Sequence, residues 1–424
     1  MKISFIIDAL RVRDLRRKIL FIIFVFAIFR LLANIPIPGV DRGNLEKFFG
    51  KFKAFGLLNI FTGGALERLS IVMLGLGPYI TAIVILQLLT LIFPSLEKMY
   101  KEGGREGREK FEQYGRILTI PLCFLQTFGM LSLFRRQGIL PQMNFLAMLS
   151  SLFTTTAGTI LLMWLGELIS EKGLGNGVSL LIFAGIAADF PTNIASLISG
   201  FAPERLFSYI LFFLMVLAII AGVVFVNEAK RNIQISYAKR IRGMRMFGGV
   251  QTFLPLSINP AGVMPIIFAL SFLTFPPMVA NFLSGMGGII GTLSQQTISL
   301  FENSLIHSIL YFILVVGFTY FYTMVVFDPE SVSQNLQKFG GFVPGIRPGK
   351  PTANYISFVL NRVLLFGSLF LGTIAIMPTV VQAITGIGAF RFLVGGTSVL
   401  ILVSVILQTI KQIRAELQMR EYEV

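Results

Sequence analysis

The chain has 424 residues, 54% of them hydrophobic and 13% charged, with a mean hydropathy of +0.78. Soluble domains carry roughly 25% charged residues, so this composition excludes a soluble globular protein and specifies a polytopic membrane protein. A net charge of +15 would suggest a nucleic-acid partner in a soluble chain; in a membrane chain, the placement of basic residues sets orientation.

A spanning helix needs ~20 mostly apolar residues. In chain order the candidates are 19–35, 69–93, 117–134, 145–169 and 178–198, the last interrupted by Asp189 and Pro191. The second half offers 206–226, 260–282, 305–327, 363–381 and 392–410, which makes ten spans. Ahead of the second span stands "LLNIFTGGALERLS" at 57–70. It starts apolar, breaks at Gly63-Gly64 and carries Glu67 and Arg68. At ~1.5 Å per residue it is too short to cross ~30 Å of hydrocarbon, and it is too apolar to lie bare in water. The basic N-terminus leads into the first span without a small-residue cleavage site, so no cleavable signal peptide is expected. Cys123 is the one cysteine; it sits in an apolar run and reads as a packed small hydrophobe.

Most of the 36 basic residues fall on one set of connections: the N-terminus, the 98–116 loop, Lys172, the 230–245 loop, Lys338, Arg347, Lys350, Arg362 and the C-terminal tail. The opposite connections hold far fewer, among them Arg42, Lys47, Arg68, Arg135 and Arg136. Basic residues collect on the cytoplasmic side, so both termini are expected there. The ten spans divide near residue 200 into halves 1–200 and 201–424. Five spans per half means that the halves enter the membrane from opposite sides, as in an inverted repeat. Irregular segments fall in matching places: Gly63-Gly64 in the first half; Asn259, Pro260, Pro265 and Pro276-Pro277 in the second. In transporter-like folds such interruptions mark the pathway.

Several chemistries lack their residues. His307 is the single histidine, so no two-histidine zinc motif exists, and no lysine stands in a phosphate-cradling loop. Ser304 and His307 could form an intramembrane protease pair, but no G-x-S-x-G elbow accompanies them. Ion-coupled carriers hold carboxylates or histidines near the midplane; here Glu167 and Asp189 lie near span ends, and Arg30 is placed to snorkel outward past Asn34. A small-solute secondary transporter is therefore the second reading, behind a passive conduit driven by a partner. The cytoplasmic segments 227–258 and 328–358 are too long for mere connectors. The second sets Arg347 among Gly340-Gly341, Pro344-Gly345 and Pro348-Gly349, turn punctuation that suggests a folded docking surface for an acidic protein or ribosomal RNA.

Across essentially its whole length the sequence resembles the SecY (Sec61α) family of protein-conducting channels. The matching stretches are "IPIPGV" at 35–40, "NIFTGGAL" at 59–66, "PYITAIVILQLL" at 78–89, "MWLGELISEKGLGNG" at 163–177, "YAKR" at 237–240, "NPAGVMPIIFA" at 259–269, "FVPGIRPGKPTANYI" at 342–356 and "GGTSVLI" at 395–401. The resemblance implies an all-α membrane fold of ten transmembrane helices in two inverted five-helix halves around an hourglass pore, with no catalysis and no cofactor or metal. It implies that Leu57, Leu58, Asn59, Ile60, Phe61, Thr62, Gly63, Gly64, Ala65 and Leu66 form a half-helical plug that blocks the outer funnel.

By the same resemblance, Leu76, Ile80, Val178, Ile182, Ile267 and Ile401 form an apolar pore ring. Leu76 and Val178 depart from the family's usual isoleucine. Such a ring seals by dewetting and yields around a passing chain. Gln87 and Asn259 match polar positions of a lateral gate and are expected to bond to each other across it. Lys239, Arg240, Arg242, Arg245 and Arg347 match docking positions, with Met244 where the family is commonly basic. The implied partners are the small membrane subunits SecE and SecG, the SecA motor, the translating ribosome, signal sequences, unfolded preproteins and membrane lipid. The implied location is the bacterial cytoplasmic (inner) membrane.

Overall fold

The computed structural model describes residues 11–37, 62, 64–66, 68–101, 103–136, 138, 140, 144–199, 203–237, 240–242, 245–247, 251–284, 288–385 and 396–421. The first part of the chain forms α1 (Arg13–Ala33), α2 (Gly77–Ile92), α3 (Pro94–Lys101), α4 (Gly104–Arg136), α5 (Phe145–Lys172), α6 (Gly177–Ser199) and α7 (Leu206–Glu228). Strands β1 (Lys230–Tyr237), β2 (Arg240–Arg242), β3 (Arg245–Phe247) and β4 (Gln251–Ser257) follow. Then come α8 (Met264–Leu283), α9 (Ile289–Glu302), α10 (Ser304–Val326), α11 (Pro329–Lys338), β5 (Gly341–Phe342), α12 (Lys350–Thr385) and α13 (Gly396–Glu421).

Each of the ten expected spans falls on a helix: α1, α2, α4, α5, α6, α7, α8, α10, α12 and α13. The protein is a ten-helix membrane bundle. Large apolar side chains such as Phe24, Phe213 and Phe366 stay well over half exposed, as a lipid-facing belt requires. α3 is not part of a span; the chain bends by 112° between α2 and α3 at Pro94, whose preceding residue is driven out of the helical region.

The second span differs from its expected extent. Its helix starts at Gly77 rather than near residue 69; Leu69 and 71–76 form turns, and Ser70 bridges to Pro36. The cause is backbone conformation: Leu69 and Gly75 have φ of 43° and 55°, which an α-helix cannot contain, and Pro78 sits in the first turn of α2, where its missing N–H costs nothing. Residues 35–37 run antiparallel to 69–71, with Ile37 N–H donating to Leu69 O (2.8 Å) and Ile71 N–H to Ile35 O (3.0 Å).

The strands were not expected. β1 pairs antiparallel with both β4 and β5, giving the order β4-β1-β5, and β2 pairs with β3 as a hairpin. The two long connections thus meet in one small sheet. Ile233, Leu256, Val343 and Ile356 form a core of their own beneath it. This domain caps one end of the bundle, where ion pairs also join helices: Arg116 with Glu167 (2.7 Å), Lys411 with Glu228 (2.7 Å) and Lys18 with Glu416.

Candidate functional site

The "GLGNG" motif shows how local sequence places Val178 and Ile182, two of the expected ring residues. Asn176 Oδ1 accepts from Ser179 N–H (3.0 Å) and starts α6, while Gly177 N–H donates to Ser170 Oγ (2.8 Å). A Cβ on Gly177 would lie 1.8 Å from Gly166 O of α5, so only glycine permits this crossing. The close approach sets the first turns of α6, which carry Val178 and Ile182. Leu76 and Ile80 come from the start of α2, Ile267 from the first turn of α8 and Ile401 from α13.

These side chains converge. Leu76, Ile80, Ile182, Ile267 and Ile401 are between 0% and 7% exposed and belong to one continuous apolar cluster, with Val178 packed against it. Leu76, Ile80, Ile182 and Ile267 also line a cavity of about 60 Å³, room for no more than a few water molecules. Its other wall is the segment before α2: Thr62 and Leu66 line the same cavity, and Ala65 joins the apolar cluster of the ring.

Of the segment 57–66, residues Leu57 to Phe61 and Gly63 lie outside the described residues. Thr62, Gly64, Ala65 and Leu66 form turns rather than the expected half-helix. Gly64 has φ of 75°; Leu66 N–H bonds to Thr62 Oγ1 (3.2 Å) and Ser70 N–H to Ala65 O (3.0 Å). Thr62, Ala65 and Leu66 are buried. Arg30 does more than snorkel past Asn34: Arg30 Nη1 stands 3.6 Å from Asp189 Oδ1 of α6. Both are only partly exposed, so the pair is shielded enough to matter yet not dry.

α8 packs against both α2 and α4, and the cavity reaches this seam through Thr81, Gln126, Ser271 and Thr274. Sequence reasoning missed these four; polar residues inside spans were the available signal. The expected bond between Gln87 and Asn259 does not form. Asn259 Nδ2 donates instead to Asn227 Oδ1 (3.1 Å) and Gly262 O (3.0 Å), and Asn227 Nδ2 donates to Ser404 Oγ (2.7 Å). The physical reason is the turn at Gly262, with φ of 62°, which curls a carbonyl back onto Asn259. Gln87 Oε1 and Asn259 Oδ1 are both buried without a partner.

At the sheet-bearing end, Arg347 is exposed on a built loop. Thr352 Oγ1 donates to Arg347 O (2.8 Å), and Ser333 Oγ to Gly349 O (2.7 Å). Arg240, Arg242 and Arg245 lie on the β2–β3 hairpin; Lys239 lies outside the described residues. Glu112, near this end of α4, has its carboxyl pKa raised by burial, partly offset by Arg116. The rings of His307 and Tyr311 are tilted by 45°, with centroids 6.3 Å apart.

A membrane bundle closed at an apolar waist, with a buried segment against that waist and a polar-lined seam beside it, has the construction of a gated pore. Residues 70–410 match the SecY family. The protein translocase subunit SecY of Streptomyces galbus is 43% identical over 431 aligned residues, covering 98% of each chain. A solved protein-conducting channel shares the fold with a TM-score of 0.65 at 20% identity, over 93% of this chain and 91% of that one. Another is a SecY structure whose plug domain is described as stabilising the closed state of the translocation channel and maintaining a membrane seal; its TM-score is 0.64 at 20% identity over the same shares. The chain belongs to the SecY family.

Proposed function

We propose that this chain is the central protein-conducting subunit of a Sec translocase. It passes unfolded secretory chains across the bacterial cytoplasmic membrane and releases apolar segments sideways into lipid. The observation that carries this reading is the single cavity shared by Leu76, Ile80, Ile182 and Ile267 with Thr62 and Leu66. In this reading the six apolar residues are the ring, 57–66 is the plug, and the seam of α2 and α4 against α8 is the lateral gate. The two halves, 1–200 and 201–424, hinge about the waist. Family membership favours this over a small-solute carrier.

The test uses the one native cysteine to advantage. With Cys123→Ser as background, single cysteines are placed at Ile80, Ile182, Ile267, Ile401 and the lipid-facing Phe213. A stalled secretory chain should crosslink to the first four and not to Phe213. Equal crosslinking at all five would remove the pore assignment.

The sheet-bearing end is the cytoplasmic face in this reading, with both termini on that side. SecE and SecG accompany the chain in the membrane, and SecA or the ribosome docks on Arg347 and the hairpin bearing Arg240, Arg242 and Arg245. Arginine makes bidentate contacts that a reversed charge cannot. Arg347→Glu should therefore abolish SecA-driven export while the channel still accumulates in the membrane; normal export would dismiss this docking site.

A further inference from the structure

We propose that Arg30 and Asp189 are selectivity-determining residues: their ion pair latches the plug segment in its closed seat and so sets how strong a signal sequence must be to open the channel. The inference rests on the plug reading above and adds the groups that hold the plug. Four contacts tie the segment and its flank to α1 and α6. Asp189 approaches Gly64 so closely that a Cβ built on Gly64 would stand 3.0 and 3.1 Å from its two carboxylate oxygens. Arg30 Nη1 lies 3.6 Å from Asp189 Oδ1. Two residues past the segment, Arg68 Nη1 donates to Asn34 Oδ1, and Asn34 Nδ2 donates to Arg30 O (2.7 Å).

Gly64 thus rests against Asp189 of α6, and Arg68 just beyond it is tied to Asn34 at the end of α1; the two helices contact each other. The junction lies beside the segment rather than at the waist. Neither Arg30 nor Asp189 lines the ring cavity, so the pair can affect plug release without altering the ring. An ionised pair inside membrane spans is costly unless its members meet. Arg30 pairs electrostatically with the Asp189 carboxylate, and the carboxylate lies against the Gly64 backbone. Withdrawal of the plug removes that packing and exposes the pair to the funnel.

The experiment compares channel complexes in native membranes, reading export of a reporter with a weakened signal sequence. Arg30→Met and Asp189→Asn should each raise that export roughly two- to fivefold, the range of a partly exposed ion pair. The double variant should match the singles rather than multiply them, because each single already removes the shared interaction. Arg30→Lys should stay near the parent. If Arg30→Met fails to accumulate, Asp189→Asn, which preserves shape, carries the comparison. Singles that leave export unchanged, or a double variant equal to the product of the singles, would overturn the latch. A deletion of residues 58–65, run in parallel, separates the two layers. If the deletion relaxes selectivity and the point variants do not, the latch falls and the plug stands. If the deletion changes nothing, the plug reading itself falls.

Discussion

The waist and the plug seat lie next to each other and are built from opposite materials. The waist is aliphatic: Leu76, Ile80, Ile182, Ile267 and Ile401 sit in one apolar cluster. The seat is polar, with Arg30, Asp189, Asn34 and Arg68 around a short run of turns. An aliphatic constriction excludes water and ions by dewetting and has no preferred partner; it closes equally on itself and on a passing chain. A polar seat has geometry and can be left only by breaking specific contacts. On the proposed reading, the contrast gives tightness to the waist and choice to the seat.

The strongest way to break this division is a charge in the waist. Ile182→Asp introduces a group whose preference for water is ~2.5–3.5 kcal/mol at a membrane centre, on the order of a hundredfold in equilibrium terms. Purified channels in planar bilayers should conduct ions in the resting state. They should also leak while a chain is in transit, since the ring itself is wetted. A resting conductance equal to the parent's would mean that Ile182 is not in the seal.

Deleting residues 58–65 should have a smaller and different effect. It removes the buried Thr62 and Ala65 from beneath the waist and frees Leu66. Burial of one large aliphatic side chain stabilises by ~1.5–3 kcal/mol; partial loss of that burial at Leu66, about half of it, should cost the closed state roughly tenfold in weight. Resting conductance should rise and weak signals should pass, yet transport and its seal in transit should persist. If conductance in transit rises as much as at rest, the two regions do not divide the labour.

The sequence made the spans legible because hydropathy acts over whole helices. It left the pore side of each helix illegible. An isoleucine facing lipid and one facing the waist satisfy the same pattern, so the ring positions came from resemblance to a family and not from periodicity. The half-helix expected at 57–66 became turns in its described residues, with positive φ at Gly64, and the second span starts late because of positive φ at Leu69 and Gly75; these are local backbone choices that hydropathy does not register. The small sheet has a legible signal: Ile233 and Ile235 alternate with Asn232, Gln234 and Ser236, a period of two, within a strongly basic segment whose charge masks it. Arg30 and Asp189 carried no local sign of each other. Their meeting depends on α1 packing against α6, a tertiary fact.

The seam between α2, α4 and α8 joins the two regions and offers a finer probe. Gln87 Oε1 is buried without a partner, a state that costs about 1–3 kcal/mol in the closed form. Opening the seam hydrates it. Gln87→Leu should therefore favour closure, and signal sequences should need more hydrophobicity to be exported, with marginal signals dropping by roughly tenfold. An unchanged threshold would show that Gln87 is not at a seam that opens.

The smallest expected effect is a coupling near zero. Had Gln87 and Asn259 bonded across the gate, replacing both would give a strongly non-additive cycle. In the structure Asn259 instead faces Asn227 and, through it, Ser404 of α13, so it belongs to the frame that fixes the start of α8. Gln87→Leu and Asn259→Leu should then shift the signal threshold independently, within about 0.3–0.5 kcal/mol of additivity. Asn227→Leu with Asn259→Leu should not be additive, because those two share a hydrogen bond of 3.1 Å. The same export assay across the two cycles decides between the arrangements. A large coupling between Gln87 and Asn259, with none between Asn227 and Asn259, would place the asparagine on the moving seam and return it from the frame to the gate.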